Sequence, residues 1–307
     1  MQRWLVRALV LLLVAAVIGG GAFWWLTSPD RITIGREPVP AGEADIANGR
    51  LLFDAGDCAA CHATPGGDRL HLGGGLAMHT QFGTFHVPNI SPHETDGIGG
   101  WSVQDFVRAM RAGVSPDGRH YYPSFPYTSF QRIGPKDLAD MFAYVRTLTP
   151  VPGRAPAHDL AFPFSMRRGV GLWKLAFLDG REFEPDPSKS AEWNRGKFLV
   201  EGPAHCAECH SPRNFAGAII AERRFSGGPN PDGAGFVPNI TPHETGIGGW
   251  SKSDVVELLT TGFTPEFDSV GASMRAVVEN TARLPPEDRE AMAEYLLSLP
   301  PVASSPR

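Results

Sequence analysis

The apolar positions along the chain fall into two clear patterns. The first is a continuous run. Ala8 to Leu26 holds 19 residues without a charge, close to the ~20 that a helix needs to cross a bilayer. Arg3 and Arg7 precede the run, and Trp24 and Trp25 close it. Basic residues at one end and aromatics at the other predict a cytoplasmic amino terminus, with everything from about Ser28 onward outside the inner membrane. A cleaved signal peptide is the competing reading. The absence of a convincing A-x-A site followed by a polar start favours an uncleaved anchor over residues 1–28.

The second pattern is helical and occurs twice. Leu138, Met141, Phe142, Val145 and Leu148 recur at helical spacing behind Gly134-Pro135, as Met292, Tyr295, Leu296 and Leu299 do behind Pro285-Pro286. Further upstream, Ser102 and Ser251 stand as N-caps before helix-like segments over 103–112 and 252–261. Each of those segments follows a longer repeat: Val87 to Ser102, VPNISPHETDGIGGWS, returns as Val237 to Ser251 with one deletion. The fold class expected is therefore all-α, with two tandem domains behind one transmembrane helix. Their limits are a tether at 29–45, a first domain at 46–150, a connector at 151–190, a second domain at 191–300 and a tail at 301–307. The connector's Phe164 to Phe177 is amphipathic and suits either the seam between domains or lipid headgroups, the seam being the commoner outcome.

Composition narrows the classes. A chain of 307 residues, 42% hydrophobic, is neither disordered nor a disulfide-stapled miniprotein, while 35 Gly and 28 Pro give loops a large share of the architecture. A net charge of -5 argues against a nucleic-acid partner.

All four cysteines lie in two copies of one motif, Cys58-Ala-Ala-Cys61-His62 and Cys206-Ala-Glu-Cys209-His210. C-x-x-C-H reads as covalent attachment of haem c: two thiols about one helical turn apart can each form a thioether with a haem vinyl group, and the adjacent histidine reaches the iron. A redox disulfide would call for a βαβ setting, and zinc would need a fourth ligand. Ordinary disulfides would not need His62 and His210 at the same place. The cofactor expectation is thus two covalently bound haems c, with His62 and His210 as iron ligands.

With these motifs the sequence resembles the membrane-anchored di-haem bacterial cytochromes c. It is similar to the cytochrome subunits of membrane-bound alcohol and gluconate dehydrogenases, which carry three such domains where this chain has two. The resemblance implies that the P-N-I loop and the G-G-W turn line the haem, placing Asn89, Trp101, Asn239 and Trp250 near haem edges or propionates. A carrier haem needs a sixth ligand, usually methionine. Met274, in loop-like sequence ahead of the last helix, fits that role for the second haem, while Met292 sits on the apolar stripe and reads as core. The related subunits carry Y-P-x-M-P-Y in the first domain, and Phe125 stands here in place of the methionine. His120 is then the one strong ligand in that window, with a vacant position as the alternative.

No nucleophile paired with a base, no phosphate loop and no carboxylate cluster for a metal is apparent. The reading is a periplasm-facing, inner-membrane electron carrier rather than an enzyme. It would take single electrons from a partner dehydrogenase and pass them to a quinone, a cytochrome or an oxidase of the respiratory chain. The rival reading is a di-haem peroxidase or reductase that uses an open position on the first haem.

Overall fold

The computed structural model describes residues 2–231, 233 and 235–304. Positions 305–307 of the expected tail, and position 1 of the expected anchor, lie outside the described residues. Helix α1, Gln2–Leu26, is the apolar run; over Arg3–Leu26 it is long and apolar enough to cross a membrane, and none of it is buried against the rest of the chain.

Two series of elements follow. The first comprises α2 (Ile46–Ala55), α3 (Cys58–His62), strands β1 (Ala77–Thr80) and β2 (Gly83–His86), α4 (Val103–Ala112), α5 (Tyr127–Phe130) and α6 (Pro135–Val145). Strand β3 (Asp159–Leu160) and α7 (Val170–Phe177) lie in the connector. The second series comprises α8 (Ala191–Glu201), α9 (Ala207–His210), strands β4 (Gly228–Pro229) and β5 (Phe236–Val237), α10 (Lys252–Thr261), α11 (Ala272–Thr281) and α12 (Pro286–Leu297). The fold is mostly helical rather than all-α. Strands β1, β2 and β3 form an antiparallel sheet with Ala77 opposite His86 and Gly83 opposite Leu160, and β4 pairs with β5. These strands are two to four residues long, too short for the alternation of apolar and polar positions to stand out.

Local chemistry explains the matched helices. Ser102 and Ser251 cap α4 and α10, each closing a reciprocal capping box with the acid three residues on, Asp105 or Asp254. Gly113 and Gly262 end the two helices in the left-handed conformation. In each series the first and last helices cross at a glycine: a Cβ on Gly49 would run into the Asp140 carbonyl of α6, and one on Gly196 into the Ala291 carbonyl of α12. The helices can therefore approach backbone to backbone. Leu138, Met141, Phe142, Val145, Met292, Tyr295 and Leu296 are buried, as their spacing predicts.

The two series share one cluster of buried apolar side chains, running from Leu52 and Phe53 to Tyr295 and Leu296. The segment expected to be a tether is docked rather than loose. Gln104 donates to the Gly35 carbonyl at 2.7 Å, Arg108 to that of Pro29 at 3.0 Å, and the buried Arg111 pairs with Glu37 at 2.9 Å and Glu182 at 2.8 Å. The end of α1 is thus fixed to α4.

Candidate haem sites

The two Cys-x-x-Cys-His segments are built alike. In each, the residue before the first cysteine is a non-glycine in the left-handed region, Asp57 at φ 51° and His205 at φ 39°, a kink that turns the chain into the short helix carrying the motif. His62 Nδ1 lies 2.8 Å from the Pro88 carbonyl, and His210 Nδ1 lies 2.8 Å from that of Pro238. A carbonyl only accepts, so Nδ1 carries the proton and the lone pair of Nε2 is left for a metal. Burial lowers the pKa of His62 to about 4, against the pull of the Pro88 carbonyl, and lowers that of His210 for the same reason. Both shifts favour the neutral imidazole that ligation requires.

A glycine completes each cradle, and sequence reasoning missed both. Gly74 and Gly227 donate their amides to the carbonyls of His62 and His210 at 2.8 Å. They sit at φ +69° and +76°, where a Cβ would meet the Pro88 carbonyl at 2.5 Å or the Val237 carbonyl at 2.6 Å. The repeated V-P-N-I sequence was the available signal for the proline carbonyls; the glycines lie at unequal distances from their histidines and carry none.

Asn89 and Asn239 are buried and bond backbone groups in the same way, Asn239 bonding the Thr241 and Thr245 hydroxyls as well. Each side-chain oxygen accepts from the amide two residues on, Ser91 or Thr241, at 2.8 Å, and each amide donates at 2.7 Å to the carbonyl of Val151 or Val302. They fasten the loop that orients the histidine to the chain leaving each series. Trp101 and Trp250 are half-buried against the core, each next to the N-cap of α4 or α10. His93 and His243 each close their own turn, Nδ1 accepting from the amide of Asp96 three residues on at 3.2 Å and from that of Thr245 two residues on at 3.1 Å.

Met274 is half-buried in the first turn of α11, a helix where loop was expected. Gly271 offers that helix no side-chain cap, so nothing in the sequence marks its start. His120 is buried, with Nε2 donating to the Thr27 carbonyl at the end of α1, 2.8 Å away, and with Nδ1 unpartnered among the described residues. It faces the end of the apolar helix, and no hydrogen bond joins it to the His62 segment among the described residues. Phe125 packs edge-on against Tyr121, Tyr127 and Phe130.

The two motifs meet across a polar seam. His205, beside Cys206, donates through Nε2 to the carbonyl of Gly56 at 3.3 Å, two residues before Cys58, and packs edge-on against Phe130. Asn280 of α11 bonds Asp57 and Arg69. Glu208, inside the second motif, accepts from Thr128 at 2.7 Å and Ser129 at 2.8 Å, and pairs with Arg213 at 2.8 Å. Burial pushes its pKa up, but Arg213 and the two hydroxyls outweigh burial and hold it below the usual carboxylate value.

These residues fit haem c: thiols one turn apart, a neutral histidine with Nε2 released, and glycine-lined backbone where a side chain would intrude. The comparisons agree. Residues 46–149 match the cytochrome c family model. The chain is 49% identical over 264 residues to a di-haem cytochrome c-type protein of Cereibacter sphaeroides, covering 85% of this chain and 87% of the relative. The chain belongs to the di-haem cytochromes c. The cytochrome is also 43% identical to a subunit of the nicotinate dehydrogenase of Pseudomonas putida over 83% of its own length, and 38% identical to the fructose dehydrogenase cytochrome subunit of Gluconobacter japonicus over 88%. It spans 21% and 56% of those two proteins. It is an electron-transfer protein with covalently bound haem c.

Proposed function

We propose that the cytochrome is anchored in the inner membrane by α1 and holds two haems in tandem cytochrome c domains facing the periplasm. It takes single electrons from a partner dehydrogenase and hands them to a respiratory acceptor. The haems supply the one-electron chemistry; the protein supplies ligands, burial and distance. The observation that carries this reading is the duplicated cradle, with Nδ1 of each motif histidine on a proline carbonyl at 2.8 Å. The seam adds a short route between the halves, from Cys58 through Asp57 and the Gly56 carbonyl to His205 and Cys206, broken by one hydrogen bond of 3.3 Å. Similarity to the cytochrome subunit of a fructose dehydrogenase supports a dehydrogenase as donor.

Met274 is the sixth ligand of the second haem in this reading. Thioether sulfur favours ferrous iron, so that haem has the higher potential. A potentiometric titration of the full chain should resolve two one-electron waves. Met274→Ala should lower the upper wave and remove the weak red-end absorption of ferric iron bound to methionine, leaving the other wave in place. A single wave, or a Met274→Ala variant with an unchanged spectrum, contradicts the assignment.

A second reading for the first haem gains support from two contacts. His120 Nε2 is held by the Thr27 carbonyl, and Phe125 fills the expected methionine position with an aromatic cluster. An open sixth position on that haem accounts for both. Carbon monoxide should then bind the reduced protein at one haem, with His120→Ala leaving this unchanged. Binding that appears only in His120→Ala would restore His120 as the ligand.

A further inference from the structure

We propose that the connector segment 162–177 is a membrane-interface element: its outer face dips into the phospholipid headgroup and acyl boundary on the side where α1 ends. The inference rests on the reading of α1 as a membrane anchor.

Helix α7 is amphipathic in the inverted sense. Its buried face holds Val170, Gly171 and Lys174, and its exposed face holds Leu172 at 45%, Leu175 at 62% and Phe177 at 38% exposure. Just ahead of it, Phe162, Phe164 and Met166 are 78%, 45% and 51% exposed. In water a helix of this kind would turn its leucines inward and its lysine outward. Here the lysine is held inside, its Nζ donating to the carbonyls of Ala112 at 2.7 Å and Gly113 at 2.5 Å and lying over the Tyr127 ring. Trp173 adds a bond to the Ala216 carbonyl at 2.9 Å. One side of α7 is thus locked to the haem-bearing body, and the apolar side faces out.

Position decides what covers that side. Arg168 donates to the Thr27 hydroxyl at 2.9 Å and the Trp24 carbonyl at 2.6 Å, with its guanidinium over the Trp24 ring. Gly171 abuts Thr27 so closely that a Cβ would lie 2.8 Å from its Cα. The segment is therefore seated on the last turn of α1. That helix of 25 residues is about 37 Å long at 1.5 Å per residue, enough to cross a hydrocarbon core of ~30 Å and bring Trp24 and Trp25 to its outer boundary. Exposed Phe, Met and Leu side chains at that depth match the apolar face of interfacial helices, while Arg167 is turned inward onto the His120 carbonyl and Arg168 onto Thr27 and Trp24, which holds the segment to α1. A phospholipid surface is the occupant continuous with α1. It would also fix the height and tilt of the haem-bearing body above the membrane.

The test uses the full chain, haem-loaded, in vesicles of phosphatidylethanolamine and phosphatidylglycerol doped with a phospholipid carrying a diazirine in its acyl chain. After illumination, lipid adducts are mapped by peptide mass spectrometry. Adducts are expected in α1 and in the 162–177 peptide, the latter about tenfold above the exposed 185–190 segment as for an inserted apolar face. The paired substitution Leu172→Asp and Leu175→Asp should reduce the 162–177 adducts severalfold and leave those in α1 unchanged. Adducts in α1 with none above background in 162–177 would overturn the proposal and point to a protein, or a second copy, on this face. Absence of adducts from α1 as well would overturn the anchor reading itself.

Discussion

Asp57 and Gly227 show how single residues at the motifs answer to forces that a motif search does not see. Asp57 sits between Gly56 and Cys58, and burial raises its carboxyl to about 7 against the Asn280 hydrogen bond and the charge of Arg69; Glu279 adds a smaller upward push. An unfolded aspartate titrates near ~4. Between these values the folded protein holds a proton that the unfolded chain has lost, so this group's contribution is full below about pH 4, falls as pH rises and is gone above about pH 7. Denaturant unfolding across that window should show the decline, and Asp57→Asn should flatten it. Gly227→Ala puts a methyl against the Val237 carbonyl at a backbone angle that suits glycine. It should cost about 1–3 kcal/mol, read by guanidinium unfolding of the haem-loaded protein. The cysteines, histidines and V-P-N-I loop were legible because their spacing repeats. The partners of Asp57 were not, because Asn280 comes from the other end of the chain and meets Asp57 and Arg69 only in the fold.

Among the elements, those defined by local chemistry were readable and those defined by tertiary contact were not. Helices α4 and α10 begin at the serines read as N-caps, and α6 and α12 carry their apolar stripes inward. Helix α11 has no side-chain cap and packs between α10 and α2, so tertiary contact makes it a helix. Segment 29–45 reads as a tether because most of its bonds to α4 run through backbone carbonyls, and the ion pair of Glu37 with Arg111 joins residues 74 positions apart; neither carries a sequence signature. The glycine crossings invert a familiar rule. In an exposed helix Gly→Ala gains up to about 1 kcal/mol, whereas Gly196→Ala drives a methyl into the Ala291 carbonyl and should lose about 3 kcal/mol as α8 and α12 are forced apart. Thermal unfolding of that variant checks the sign; a stabilised protein would show that the crossing is looser than described.

For the whole molecule, the duplication read from the sequence appears as two matched series of elements, but the seam between them was out of reach of the sequence. Two separate modules on a linker would each bury their own core, whereas one apolar cluster here includes residues of both series, and His205, Glu208 and Asn280 make hydrogen bonds across it. Such a body holds its two haem-binding motifs at a fixed separation, which suits a relay. The claim beneath all of this is that each Cys-x-x-Cys-His motif holds one covalent haem. Intact mass spectrometry of the full chain under denaturing conditions tests it most directly. The account predicts the mass of the polypeptide plus two haems, falling by one haem when Cys206 and Cys209 are both replaced by alanine. The mass of the bare polypeptide, or of the polypeptide with a single haem, would contradict it.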